Sequence, residues 1–135
     1  MPIISANVIA CQELLTETTG IFSAIRILSL LNVTRSTTHV NMHSLATVFS
    51  TPGDYAEHVM SVRMMTHEGL QIAVGEDYPF SFGYNADPEG YGGFSLQTRF
   101  NLELAKLPSG LGWFFVWVYV DGEPAAKTNF MLRWS

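Results

Sequence analysis

Phe94-Ser95-Leu96-Gln97-Thr98-Arg99-Phe100-Asn101-Leu102-Glu103-Leu104 decides the fold. Phe94, Leu96, Thr98, Phe100, Leu102 and Leu104 fall on one side of an extended chain, and Ser95, Gln97, Arg99, Asn101 and Glu103 on the other. A period of two marks a strand with one dry and one wet face, and the same residues wound as a helix would scatter around the cylinder. Weaker cases repeat the pattern. His58 to Thr66 sets Met60, Val62 and Met64 against Ser61 and Arg63, and Leu45, Thr47 and Phe49 alternate in another segment. Asn129 to Trp134 puts Phe130, Leu132 and Trp134 on one face, and Ile3 to Cys11 suits a first or edge strand.

Turn signals separate these segments: Pro52-Gly53-Asp54, His67-Glu68-Gly69, Asp87-Pro88-Glu89-Gly90, Pro108-Ser109-Gly110 and Asp121-Gly122-Glu123-Pro124. Glycine supplies positive φ at such places and proline fixes φ. Strand-length runs at this spacing predict one all-β domain over residues 1–135, a two-layer antiparallel β-sandwich of about seven to nine strands. Thr19 to Val33 does not alternate. Its Ile21, Ile25, Leu28 and Leu31 fit a short helix around 19–31, capped by Thr16 or Thr19, about as well as strands, while its β-branched density favours strand.

The segment Trp113 to Val120 departs from the wet-and-dry rule. Phe114, Val116, Val118 and Val120 form one face, Trp113, Phe115, Trp117 and Tyr119 the other, and neither suits water. An outer sandwich face is ordinarily polar, and an apolar patch of this size is rare on a monomer. The expectation is that something covers it: a crossing loop, such as the Gly-rich segment Tyr84 to Gly93, or a second copy of the chain. Trp113, Phe115, Trp117 and Tyr119 are therefore candidate partner-interface residues.

Composition narrows the function classes. Hydrophobic residues make up 47% and charged residues 14% of the 135, and the net charge is −5. The seven basic residues, Arg26, Arg35, Arg63, Arg99, Lys106, Lys127 and Arg133, are scattered along the chain. Nucleic-acid binding ordinarily needs a clustered positive face, so no nucleic-acid partner is expected. Cys11 is the only cysteine, excludes an internal disulfide, and reads as a small buried hydrophobe. The N-terminus lacks a basic n-region, and the longest apolar run, Ile21 to Leu31, is interrupted by Arg26. No membrane span is expected, and the default compartment is the cytoplasm.

Candidate chemistry is sparse. His39 and His43 share a strand face with Asn41, but two histidines fall short of the three or four ligands that zinc takes. Glu76, Asp77, Asp87 and Glu89 form acidic loops of the kind that hold calcium, without EF-hand spacing. Gly90-Tyr91-Gly92-Gly93 lacks the Lys-Ser or Lys-Thr of a phosphate loop, and no Gly-x-Ser-x-Gly elbow exists. No cofactor is expected. Tyr78, Tyr84, Asp87, Glu89 and Tyr91 are candidate residues for a small ligand or carbohydrate in the 78–91 loops, although aromatics at even spacing more often fill a core.

The run Thr51-Pro52-Gly53-Asp54-Tyr55-Ala56-Glu57-His58-Val59-Met60-Ser61-Val62 is followed by Glu68-Gly69, then by Leu104, Pro108 and Gly110, and then by Gly112 through the Trp113–Val120 strand to Asp121-Gly122. This order resembles an uncharacterised family of small bacterial and phage-encoded β-sandwich proteins. The resemblance spans most of the chain and implies the fold. It supplies no catalytic residues, and the doubled aromatics at Trp113 and Trp117 depart from it. The expected function is a non-enzymatic binding or assembly module acting through protein–protein contacts, either as a homo-oligomer or docked on a protein partner. The alternatives are a small-ligand or carbohydrate binder using the 78–91 loops, and a metal-dependent enzyme around His39, His43 and the acidic loops.

Overall fold

The computed structural model describes residues 3–16, 22–27, 29–50, 56–82, 93–107 and 110–135. Two sheets face each other. In the first, β1 (Ile3–Thr16), β2 (Phe22–Ile27), β4 (His39–Ser50) and β8 (Gly93–Glu103) lie in the order β2-β1-β4-β8. In the second, β3 (Leu30–Val33), β10 (Glu123–Trp134), β9 (Trp113–Val120), β5 (Glu57–Thr66) and β6 (Gln71–Val74) follow in the order β3-β10-β9-β5-β6, and β7 (Tyr78–Ser81) also pairs with β5. A 3-10 turn at Leu104–Lys106 is the only helical element among the described residues. The β1-β4-β8 and β10-β9-β5 pairings reproduce the strand connectivity of an immunoglobulin-like sandwich.

Alternation explains how the layers close. β9 turns Phe114, Val116, Val118 and Val120 inward, β5 adds Met60, Val62 and Met64, and β8 adds Phe100 and Leu102 from the facing sheet. Phe114 and Phe130 occupy paired positions on β9 and β10, and their rings stack 5.7 Å apart. Between the sheets, Phe94 of β8 stacks on Phe80 of β7 at 4.5 Å and on Tyr78 at 5.6 Å.

Three local differences from the sequence reading stand out. The region around 19–31, open between helix and strand, forms β2 and β3. The sandwich is not wholly antiparallel, because β3 lies parallel to β10 with Leu31 beside Leu132. On β4 the buried set is Val40, Met42, Ser44, Ala46, Val48 and Ser50, so Leu45 and Thr47 are half-buried on the other face and Phe49 is exposed there.

The β9–β10 connection is a two-residue turn. Asp121 and Gly122 both take positive φ, 53° and 81°, the type I′ geometry that matches the twist of a hairpin. Its tip docks on β5 through the Asp121 N–H, which donates to the Val59 carbonyl at 2.8 Å.

Candidate functional site

Because the even-numbered residues of β9 fill the core, Trp113, Phe115, Trp117 and Tyr119 must stand on the outer face of the six-stranded sheet. Trp113 is 43% exposed and the other three are half-buried. Register decides their company. On the β5 side Tyr119 pairs with Ser61, Trp117 with Arg63 and Phe115 with Met65. On the β10 side Tyr119 pairs with Pro124, Trp117 with Lys127, Phe115 with Asn129 and Trp113 with Met131. Trp117 thus has a cation directly opposite it on each neighbouring strand.

Both cations lie on the rings. The Arg63 guanidinium sits 4.2 Å from the Tyr119 ring centroid, and its Nε donates to Ser61 Oγ at 3.2 Å. Lys127 Nζ sits 5.1 Å from the Trp117 centroid and 5.6 Å from that of Phe115. Cation–π attraction stabilises such contacts by about 0.5–1 kcal/mol at exposed sites. Among the described residues no carboxylate forms an ion pair with either cation. None of the directly opposite positions on β5 and β10 is acidic, in a chain with twelve Asp and Glu against seven Lys and Arg. Beside Trp117 the face dips into a recess of about 190 Å³, lined by Met65, Thr66, His67, Phe115, Trp117 and Lys127, with Gly69 at the same hairpin.

Of the crossing loop expected over the aromatic row, Tyr84 to Gly93, all but Gly93 lies outside the described residues. Among the described residues Arg63 and Lys127 lie over Tyr119, Trp117 and Phe115 and leave Trp113 exposed, since a long cationic side chain lays its methylenes on apolar surface while its head stays in water. Of the predicted loop residues, Tyr78 falls among the described ones. Tyr78 lies on β7 in the stack with Phe94 and is 46% exposed, while Tyr84, Asp87, Glu89 and Tyr91 fall outside the described residues. His39 and His43 do share the outer face of β4. His39 Nδ1 is 3.0 Å from Thr38 Oγ1, and His43 Nδ1 is 3.4 Å from Gln97 Nε2. Among the described residues no three His, Cys, Asp or Glu side chains come together to hold a metal ion. Cys11 is fully buried, and burial pushes its thiol pKa up.

A second polar feature escaped the sequence reading. His58, 3% exposed, donates from Nδ1 to Asp121 Oδ2 at 2.7 Å, and the Val59 N–H donates to Asp121 Oδ1 at 2.9 Å. The His58 ring lies 5.6 Å from that of Phe80 and 5.7 Å from that of Phe82. Burial alone would raise the Asp121 carboxyl, but the His58 hydrogen bond, the Val59 hydrogen bond and the His58 charge outweigh it, leaving the pKa below the ordinary value. The pair fastens the hairpin tip to β5. The only sequence sign of it was Asp-Gly, a turn signal.

No family model matches the chain, and no curated protein matches it. Among solved structures it is similar to one described as Pseudomonas fluorescens alkylpurine DNA glycosylase AlkC bound to DNA containing an abasic site analog. That match has 14% identity and a TM-score of 0.46, covering 96% of this chain and 30% of that one. That structure is bound to DNA, which stands against the expectation of a protein-assembly module without a nucleic-acid partner, and that expectation is not carried further. At 14% identity and a TM-score of 0.46 the match assigns no activity to the chain. No helix among the described residues is long and apolar enough to cross a membrane.

Proposed function

We propose that the outer face of the six-stranded sheet binds single-stranded nucleic acid, stacking bases on its aromatic row. The observation that carries this reading is the juxtaposition around Trp117: rings at every second position of β9, a cation opposite on each side, and no carboxylate at the facing positions. Every base has a π face, and base–aromatic stacking is worth about 1–3 kcal/mol per base. Alternate side chains on a strand stand about 7 Å apart, a spacing that a flexible single strand bridges readily. Arg63 and Lys127 serve twice. In the free protein they lie on the rings, and on binding they exchange the ring for a phosphate, a stronger, charge-assisted partner. A duplex keeps its bases stacked internally and offers this flat face only its backbone, so single strands are the preferred form.

Tryptophan fluorescence reads the interaction directly, because Trp113 and Trp117 are on the face. Titration at low salt with a single-stranded oligothymidine of about 10 nucleotides is expected to quench the emission, and a duplex of the same length to leave it almost unchanged. Trp117→Ala is expected to weaken binding by about tenfold, the equivalent of one lost stacking contact, while the circular dichroism stays that of the folded protein. Absence of quenching by any single strand at low salt sinks the reading.

A further inference from the structure

The aromatic row is capped at one end and bare at the other. Arg63 lies over Tyr119, and Lys127 lies over Trp117 and Phe115. Among the described residues no cation and no second ring rests on Trp113, which is 43% exposed. Register gives that indole an uncharged floor. Met131 of β10 pairs with Trp113, and Leu30 of β3, also exposed, pairs with Met131 on its other side. The next cation along β10, Arg133, is turned toward β3, where its Nε donates to Asn32 Oδ1 at 2.8 Å. The Leu132 N–H donates to the Gly112 carbonyl at 2.9 Å, which holds the start of β9 against β10 at this end of the row. Trp134 is exposed as well, but the Arg35 guanidinium lies 4.4 Å from its ring centroid, and Glu103 lines the cavity beside it with a carboxylate that repels phosphate.

Resting on the nucleic-acid reading above, we infer that Trp113 is the primary base seat of the face, where a strand docks first, and that Lys127 and Arg63 gate the rest of the row. A base stacking on Trp113 displaces no side chain. A base stacking on Trp117 must first move Lys127, and one on Tyr119 must move Arg63. An exposed cation–π contact is equivalent to about two- to fivefold in a binding constant. A phosphate offsets that loss only where the strand is long enough to set one beside the displaced cation. Trp117 stands about 13 Å along β9 from Trp113, and Phe115 about half as far. A dinucleotide laid from Trp113 therefore carries one phosphate and stops at Phe115. The bare seat serves every strand, and the capped rings serve longer ones. The ligand that reaches Trp113 alone is a short single-stranded oligonucleotide of any sequence, because every base presents a π face.

The chain has three tryptophans, Trp113, Trp117 and Trp134, so three indole N–H signals in a nitrogen-15 NMR spectrum report the seats separately, each assigned by its Phe variant. Titration with a thymidine dinucleotide is expected to move the Trp113 signal and leave those of Trp117 and Trp134 in place. A ten-nucleotide oligothymidine is expected to move both Trp113 and Trp117. Lys127→Ala bares Trp117, and the dinucleotide is then expected to move the Trp117 signal too. Trp113→Ala is expected to weaken the ten-nucleotide strand by about thirtyfold, against about tenfold for Trp117→Ala, with the circular dichroism of both variants unchanged. The seat is overturned, and the stacking face left standing, if the dinucleotide moves Trp117 in the wild type as far as Trp113, if it moves neither while the longer strand moves both, or if Trp113→Ala costs less than Trp117→Ala. A Trp117 signal that stays still in Lys127→Ala overturns the gating. If the ten-nucleotide strand moves no indole signal, the stacking face itself is wrong and the seat falls with it.

Discussion

Asp121 answers two demands with one side chain. As the first residue of the β9–β10 turn it must adopt φ of 53°, a conformation that Asp and Asn tolerate better than other side chains. As a carboxylate it accepts from His58 and from the Val59 N–H. The sign of its contribution follows from the direction of the pKa shift. The folded-state value lies below the unfolded value of about 3.9, so the stabilisation is fully present above that pH and is lost as the pH falls through the lower folded value. Asp121→Asn keeps the turn geometry and removes the charge together with one of the two acceptor oxygens. The side chain is 48% exposed, so solvent screening limits the cost at neutral pH to about 1 kcal/mol. Urea unfolding of wild type and variant should differ by that amount near neutrality and converge once the wild-type carboxyl is protonated. A difference that persists unchanged in strong acid would falsify the assignment to the carboxylate.

At the scale of elements, the hairpin that carries the aromatic row depends on Gly122. Its φ of 81° is left-handed, and a Cβ built there meets nothing within 4 Å, so any penalty for a side chain is conformational and not steric crowding by neighbours. Gly122→Ala should destabilise the protein by about 1–2 kcal/mol, measured by thermal or urea unfolding, without a change in the core. Asn at the same place should cost less. Much of this architecture is legible in the sequence. The period-two runs at Phe94 to Leu104 and His58 to Thr66 point the sides that bury, and Asp121-Gly122 lies at the turn it signals. The face of β4 was not legible, because Leu45 and Phe49 are larger and more apolar than Ser44 and Ala46. Close packing between sheets favours small side chains inside, and hydrophobicity by itself does not reveal that. The site was half-legible. The row from Trp113 to Tyr119 announces itself by its two dry faces. Its partners do not, because Arg63 and Lys127 lie 54 and 10 positions from Trp117 in the chain and meet it only through register. The parallel contact of β3 with β10 belongs to the same class of long-range fact.

For the whole molecule the charge is the physical obstacle to a nucleic-acid partner, and it yields a quantitative prediction. Single-strand binding proteins usually combine stacking with a positively charged groove, and the affinity falls with salt by a slope of about −0.7 for each phosphate neutralised. Here the face supplies Arg63 and Lys127 opposite the ring row, while the molecule as a whole carries −5. Two neutralised phosphates give a log–log slope of about −1.4, and the long-range repulsion between an acidic protein and a polyanion, itself screened by salt, makes the observed slope shallower still. Binding carried by stacking should therefore survive from low to physiological salt with only a few-fold loss, unlike that of a basic groove. The double variant Arg63→Gln with Lys127→Gln should flatten the slope almost to zero and retain part of the affinity through the rings. Measuring the dissociation constant of an oligothymidine across a salt series for both proteins tests this. A slope several times steeper, unaffected by the double variant, would place the strand on other cations, such as Arg99 on the opposite sheet, and away from the aromatic face.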